Sequence, residues 1–226
     1  AIIIASGCSV DLGTDPTTVY SSANNTFTNN GTVNASGTWT ITGSTPNNSF
    51  FKNNGTITHS GTGWDIDDSF VHSAGATTTF PGTSITIEGH FKFYGGTFDL
   101  SGKTITFDDD AQSEDSQLIC NTTIGGSIIV DKTALNSDFK MGSDCTIGGN
   151  FTRTDGPINA SSGLTTLTVL GNFSAATSDQ LGQPSSTLSF ASSGIQYASS
   201  TGVPWGGPLN VSTTLGELRL SSNFLA

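Results

Sequence analysis

The chain has 226 residues, and Thr (35), Ser (31), Gly (28) and Asn (16) fill close to half of them. Charged side chains make up only 11% of the chain, helix-building types are sparse, and 14 Phe, 3 Trp and 3 Tyr need burial; this argues against a helical bundle, a doubly wound α/β enzyme or a disordered linker, and for an all-β chain rich in turns. The net charge of −11 supplies no basic patch for nucleic acid or an anionic membrane, and no run approaches the roughly 20 apolar residues of a membrane span.

In chain order, residues 1–20 form an N-terminal segment. It opens on Ala1-Ile2-Ile3-Ile4-Ala5, an uncharged β-branched strand without the charged leader of a signal peptide. Such a strand is able to add to the edge of a neighbouring sheet. Next comes a repeat. Phe27-Thr28-Asn29-Asn30-Gly31-Thr32-Val33-Asn34-Ala35-Ser36-Gly37-Thr38 matches the segment from Phe51 to Thr62 at eight of twelve positions. In stacked coils equivalent residues lie one strand spacing apart, ~4.8 Å. Phe27 is then expected over Phe51, Val33 over Ile57, and Asn29 and Asn30 over Asn53 and Asn54 as amide ladders.

Farther along, short runs alternate with period two: Ile85/Ile87, Phe91/Phe93, Phe98/Leu100, Ile105/Phe107, Leu167/Val169, Leu188/Phe190, Leu209/Val211 and Leu218/Leu220. The apolar members point inward and the Thr, Asp and Lys members outward. A motif of β-branched residue, any residue, Gly, any residue and large apolar residue recurs at Ile87–Phe91, Ile124–Ile128, Ile147–Phe151 and Val169–Phe173. The last two steps match the offset of the repeat, and the first is much longer. The long step reads as one coil carrying an insertion, an acidic loop at about 108–118. The predicted fold is an all-β solenoid of 22–24-residue coils, a single elongated domain over 1–226, with a β-sandwich or jelly roll as the alternative.

Three cysteines stand at Cys8, Cys120 and Cys145. Cys120 and Cys145 are separated by about one coil, and each precedes a Thr-Ile-Gly-Gly segment. Adjacent coils meet the Cα spacing a disulfide accepts, so a bond is expected, with buried free thiols as the alternative. Cys8 is left for pairing between molecules. Ten Asn-X-Ser/Thr acceptors occur, at Asn24, Asn30, Asn34, Asn47, Asn54, Asn121, Asn150, Asn159, Asn172 and Asn210. A chain this rich in Asn, Ser and Thr also makes such triplets by chance. Together with the hydroxyl-rich surface they point to an exported protein.

The Gly-Thr-Val/Ile strands, the Gly-Asn-Phe-Thr/Ser corners and the phrase Gly-Gly-Thr-Phe-Asp-Leu-Ser-Gly-Lys-Thr-Ile-Thr-Phe at 95–107 resemble secreted parallel β-helix surface proteins of bacteria and archaea. The resemblance spans about 27–174 and its motifs encode strand and turn rather than a site. More loosely, the composition resembles archaeal amyloid-like cell-sheath proteins. The resemblance implies an extracellular or cell-surface location.

Catalysis is not expected. A polygalacturonase-like site needs paired Asp with Gly-His-Gly and Arg-x-Lys, but Gly89-His90 is followed by Phe91, and Arg219-Leu220-Ser221 lacks the Lys. A lyase-like site needs a Ca²⁺ carboxylate cluster with a basic residue nearby, and the only arginines are Arg153 and Arg219. The overall acidity would also repel polyuronates. His59, His72 and His90 have no metal spacing, and His59 is assigned to the outward phase of its strand. Two acidic groups, Asp65/Asp67/Asp68 and Asp108/Asp109/Asp110/Glu114/Asp115, offer hard oxygens for Ca²⁺ but match no known loop; solvated acidic loops are the simpler reading, and no cofactor is expected. Ala1-Ile2-Ile3-Ile4 and the apolar C-terminal strand do not read as caps, so either the chain ends in an interface or these residues belong to a longer solenoid; open β-edges pair with other chains. The leading expectation is therefore a structural, self-assembling surface subunit whose partner is itself. The alternative is an adhesin or glycan-binding module that presents Trp39, Trp64 or Trp205, the last in a Pro-Trp-Gly-Gly-Pro turn, to cell-surface glycans.

Overall fold

A computed structural model describes residues 1–14, 17–21, 26–37, 39–43, 50–61, 63–67, 69–108, 115–133, 138–160, 165–176, 186–201, 205, 207–212 and 216–221. Within them lie 27 strands and no helix, stacked in parallel as a β-solenoid of about eight turns. Each coil runs over three faces. The coil that holds the first repeat has Thr26–Asn29 on face one, Thr32–Ala35 on face two and Trp39–Gly43 on face three; the next has Phe50–Asn53, Thr56–His59 and Gly63–Ile66. Face one is an eight-stranded sheet and face three a ten-stranded sheet. Face two is divided into sheets of five and four strands, with Ile124 bridging singly to Ile147 at the break.

The register of the repeat is present residue for residue. Phe27 pairs with Phe51 and Asn29 with Asn53 on face one, and Val33 pairs with Ile57 on face two. The Phe column continues through Phe70 and Phe91 to Leu118. Phe27/Phe51, Phe51/Phe70 and Phe70/Phe91 stack with ring centroids 4.9, 5.6 and 5.9 Å apart. Period-two alternation places these rings, together with Ile85, Ile105, Ile128, Phe151, Leu167 and Leu188, in one continuous core. Toward the C-terminal end the core thins: Val211 and Leu220 are exposed.

The corners explain the two motifs. At Asn-Asn-Gly, a Cβ on Gly55 would collide with the backbone of Gly31 one coil below, so only glycine lets the coils meet. The same holds for the stack Gly126, Gly149 and Gly171. That stack corrects the long step. Ile124, Ile147 and Val169 all lie at the corner from face two to face three, whereas Ile87 ends a face-three strand and Phe91 begins one on face one. The Ile87 instance is a different corner of the triangle. The neighbours of Ile128 in register are Ile105 and Phe151, each a single regular coil away. Of the acidic segment, Asp108 ends a face-three strand and Ser116–Cys120 is a regular face-one strand, while 109–114 lie outside the described residues. Residues 1–20 hold Ile2–Ile4, Ser9–Asp11 and the start of Thr17–Ser21, the three strands of the first coil.

Candidate functional site

The interior is not wholly apolar. On face one the column above Ile4 reads Asn29, Asn53, His72, Phe93 and Cys120. Asn29 and Asn53 are fully buried. Asn29 Nδ2 donates to Asn53 Oδ1 at 2.9 Å, and Asn53 Nδ2 donates to Thr78 Oγ1 at 3.0 Å. His72 Nδ1 lies 2.7 Å from the Gly95 carbonyl, which only accepts, so Nδ1 carries the proton. His72 Nε2 is then the acceptor for the Thr78 hydroxyl, 3.1 Å away. The chain of donors runs one way over four coils. A second, outer ladder joins Asn54 Nδ2 to Asn30 Oδ1 at 2.9 Å, and Ser73 Oγ donates to Asn54 Oδ1.

His59 is corrected from outward to inward. It shares the phase of Ile57, pairs with the buried Ala35, and is itself fully buried. Its Nε2 donates to the Gly37 carbonyl at 2.9 Å, while its ring stacks on Trp39 and meets Trp64 edge-on. Burial pushes the pKa of all three histidines below the ordinary value, His90 down to about 4 with help from Lys92. The three tryptophans are corrected as well. Trp39, Trp64 and Trp205 are buried, and Trp205 Nε1 donates to the Ser186 carbonyl, so none of the three rings is presented to a ligand.

Two interior cations are disguised in the sequence by their charge. Arg153 occupies an inward column between Val130 and Ala175, and its Nε donates to the Gly156 carbonyl. Lys132, also buried, donates to the carbonyls of Glu88 and Asp108. Both continue the inward phase of the residues before them, Ile128–Val130–Lys132 and Phe151–Arg153, next to a register shift between Val130 and Asp131. Asp108, Asp131 and Asp155 lie in register on successive coils. Among the described residues no group of three or more His, Cys, Asp or Glu converges as a metal site. Asp68, Asp109, Asp110 and Glu114 fall outside the described residues.

Cys120 and Cys145 form a disulfide with Cα atoms 5.2 Å apart. It joins the end of a face-one strand to the start of a face-two strand in the next coil. A disulfide fits an oxidising compartment. Cys8 is free and exposed. Of the acceptor asparagines, Asn24 and Asn47 are outside the described residues. Asn30, Asn121, Asn150, Asn172 and Asn210 are exposed, and Asn34, Asn54 and Asn159 partly so. Several work as corner ladders: Asn150 Oδ1 accepts from Asn172 N at 2.8 Å, and Asn172 Oδ1 accepts from Tyr197 N at 2.9 Å.

Two surfaces are left open. The first is the N-terminal coil. Its three strands are each the last in their sheets, pairing on one side only within this chain. Ile2 sits in register over Phe27, in the inward phase, and is still 55% exposed. The second is a shallow hollow of about 340 Å³ on the outer side of face one, with Lys52 and Lys92 on either side of Val71. Among the described residues no helix is long and apolar enough to cross a membrane. No protein-family model, curated protein or solved structure matches the chain.

Proposed function

We propose that the chain is a structural, non-catalytic surface subunit that polymerises coaxially, the open strands of one copy pairing with those of the next outside the cell. One observation carries the reading: Ile2 continues the aromatic column Phe27–Phe51–Phe70 and is still 55% exposed. Beside it three strand edges offer free backbone groups, the arrangement that recruits another strand. Covering Ile2 and pairing three edges at once converts each open end into one more coil of the same lattice. The alternating Thr surface and the disulfide suit an extracellular setting. Glycans on exposed asparagines such as Asn121 and Asn150 would decorate the corners without touching the coil ends.

The test is light scattering across a concentration series with Ile2→Lys as the comparison. Lysine at an exposed position extends its charge into water and leaves the monomer folded, but a second copy cannot bury it. The reading predicts growing, elongated particles for the parent chain and a monomer of unchanged circular dichroism for the variant. A parent chain that stays monomeric throughout, or a variant that assembles equally well, would overturn it.

A further inference from the structure

The hollow on face one is built unlike the rest of the surface. Its floor is Val71, on a strand that lies inside the sheet, paired on both sides. Lys52 and Lys92 are the in-register neighbours of Val71 on the strands before and after. Their Cα atoms therefore stand two strand spacings apart, roughly 10 Å. Phe50 closes one end and Tyr94, 37% exposed, rims the other beside Ser73. The Lys92 ammonium leans to 5.4 Å from the Phe50 ring centroid, across the mouth of the hollow.

The cation inventory sets this place apart. The chain carries 7 basic side chains against 18 acids. Lys132 and Arg153 are interior, Lys140 is paired with Asp115, Arg219 with Glu217, and Lys103 donates to the Gly82 carbonyl. Lys52 and Lys92 form no ion pair with any described carboxylate, although acids outnumber bases more than twofold in the chain. Two ammonium groups without a carboxylate partner among the described residues thus flank one apolar floor with an aromatic ring at each end.

We infer that this hollow binds a carboxylate-bearing sugar, a uronic acid unit taken either as a free sugar or as part of a polysaccharide. The chemistry of each wall assigns a part of that ligand. The ammonium groups match a carboxylate. Aromatic faces and Val71 match the C–H face of a pyranose ring, an apolar surface with polar edges. Ser73 Oγ already donates to Asn54, so toward a ligand it accepts from a sugar hydroxyl, and Tyr94 supplies a second hydroxyl. A peptide is a poorer fit, because peptides dock on sheets by pairing with an edge, and the strands here are interior. The net charge of −11 opposes a polyanion at a distance. Salt screens that repulsion beyond a Debye length of about 8 Å under physiological conditions, and inside it the two lysines dominate. The inference is independent of the coil ends, since none of the lining residues belongs to the first coil.

The experiment is a titration of the intact protein with a fluorescently labelled galacturonic acid oligomer, with its methyl-esterified form as the neutral control and free galacturonate as competitor. Lys52→Gln and Lys92→Gln are each expected to weaken binding roughly threefold, as exposed charge contacts do. The double variant and Tyr94→Ala should lose most of it while circular dichroism stays unchanged. Competition by free galacturonate at similar strength assigns a single-sugar site, and preference for the oligomer assigns a polymer site. Absence of binding by the parent chain, equal binding of the esterified oligomer, or full binding by the double variant would overturn the inference. So would self-association of the parent chain that the double variant abolishes, since another copy would then cover the hollow.

Discussion

Phe51 lies between Phe27 and Phe70, fully buried, with Trp39 edge-on at 5.1 Å. Truncation to alanine removes contacts on three sides and leaves a cavity that rigid coils cannot close. Phe51→Ala should therefore destabilise by about 3–5 kcal/mol in a denaturant titration. A cost near that of an exposed residue would mean the column is not packed as described. Asn53 beside it is a different kind of core residue. Asn53→Leu removes one of the two acceptors of the Asn29 amide, which keeps the Thr56 carbonyl, and the acceptor of the Gly55 N–H; a buried donor left without its partner costs about 1–3 kcal/mol. Parity between Asn53→Leu and the parent would show that the ladder contributes nothing. The histidines set a pH dependence with a definite sign. Burial holds their folded pKa values below the ordinary 6.5, so the unfolded chain takes up protons first as pH falls. Their contribution to stability is full above 6.5 and is lost downward from there, for His90 until about 4. Denaturant midpoints should thus fall between about pH 7 and pH 5, and His90→Gln should flatten the slope. A midpoint that rises over that interval would contradict the neutral histidines.

At the scale of the strand and corner, the disulfide tests how much the coils depend on a covalent tie. It closes a loop between neighbouring coils, with a sequence separation of 25. Replacing both Cys120 and Cys145 with serine should cost roughly 3 kcal/mol, mainly by freeing the unfolded chain. If thermal unfolding is unmoved, the bond is dispensable. The repeat, the Asn-Asn-Gly corner and the pairing of these cysteines are legible in the sequence because stacking converts a fixed offset in number into a neighbour in space. His59 misleads because its phase is taken from its register with Ala35, a small residue that reads as outward but is buried, rather than from Ile57 two places earlier; a histidine is tolerated inside where a corner carbonyl such as that of Gly37 accepts from it. The long step between glycine motifs misleads because a triangular coil has three corners, and a glycine-centred motif does not say which. Trp205 misleads because flanking glycines and prolines suggest exposure, while the indole has a buried carbonyl partner. Arg153 and Lys132 mislead because their charge argues for solvent, although period two from Phe151 and from Ile128 and Val130 puts both in the inward phase. The Lys52/Lys92 hollow is half visible: both lysines follow a phenylalanine in the outward phase, but their common neighbour Val71 emerges only from the register.

At the scale of the whole molecule, the solenoid is a lattice of one strand spacing, and among the described residues the strands of the first coil pair on one side only. Cys8, exposed in the first coil, reports on that end: if ends meet under oxidising conditions, non-reducing electrophoresis should show a dimer that reductant dissolves. A monomer with one alkylatable thiol under the same conditions would exclude a Cys8 cross-link. The central claim is coaxial stacking, and cryo-electron microscopy of the concentrated, oxidised protein tests it most directly. The account predicts filaments in which the ~4.8 Å strand repeat runs unbroken through the junction and Ile2 of one copy is covered by the next. Isolated particles one chain in size, or copies joined only side by side with Ile2 still facing solvent, would contradict it.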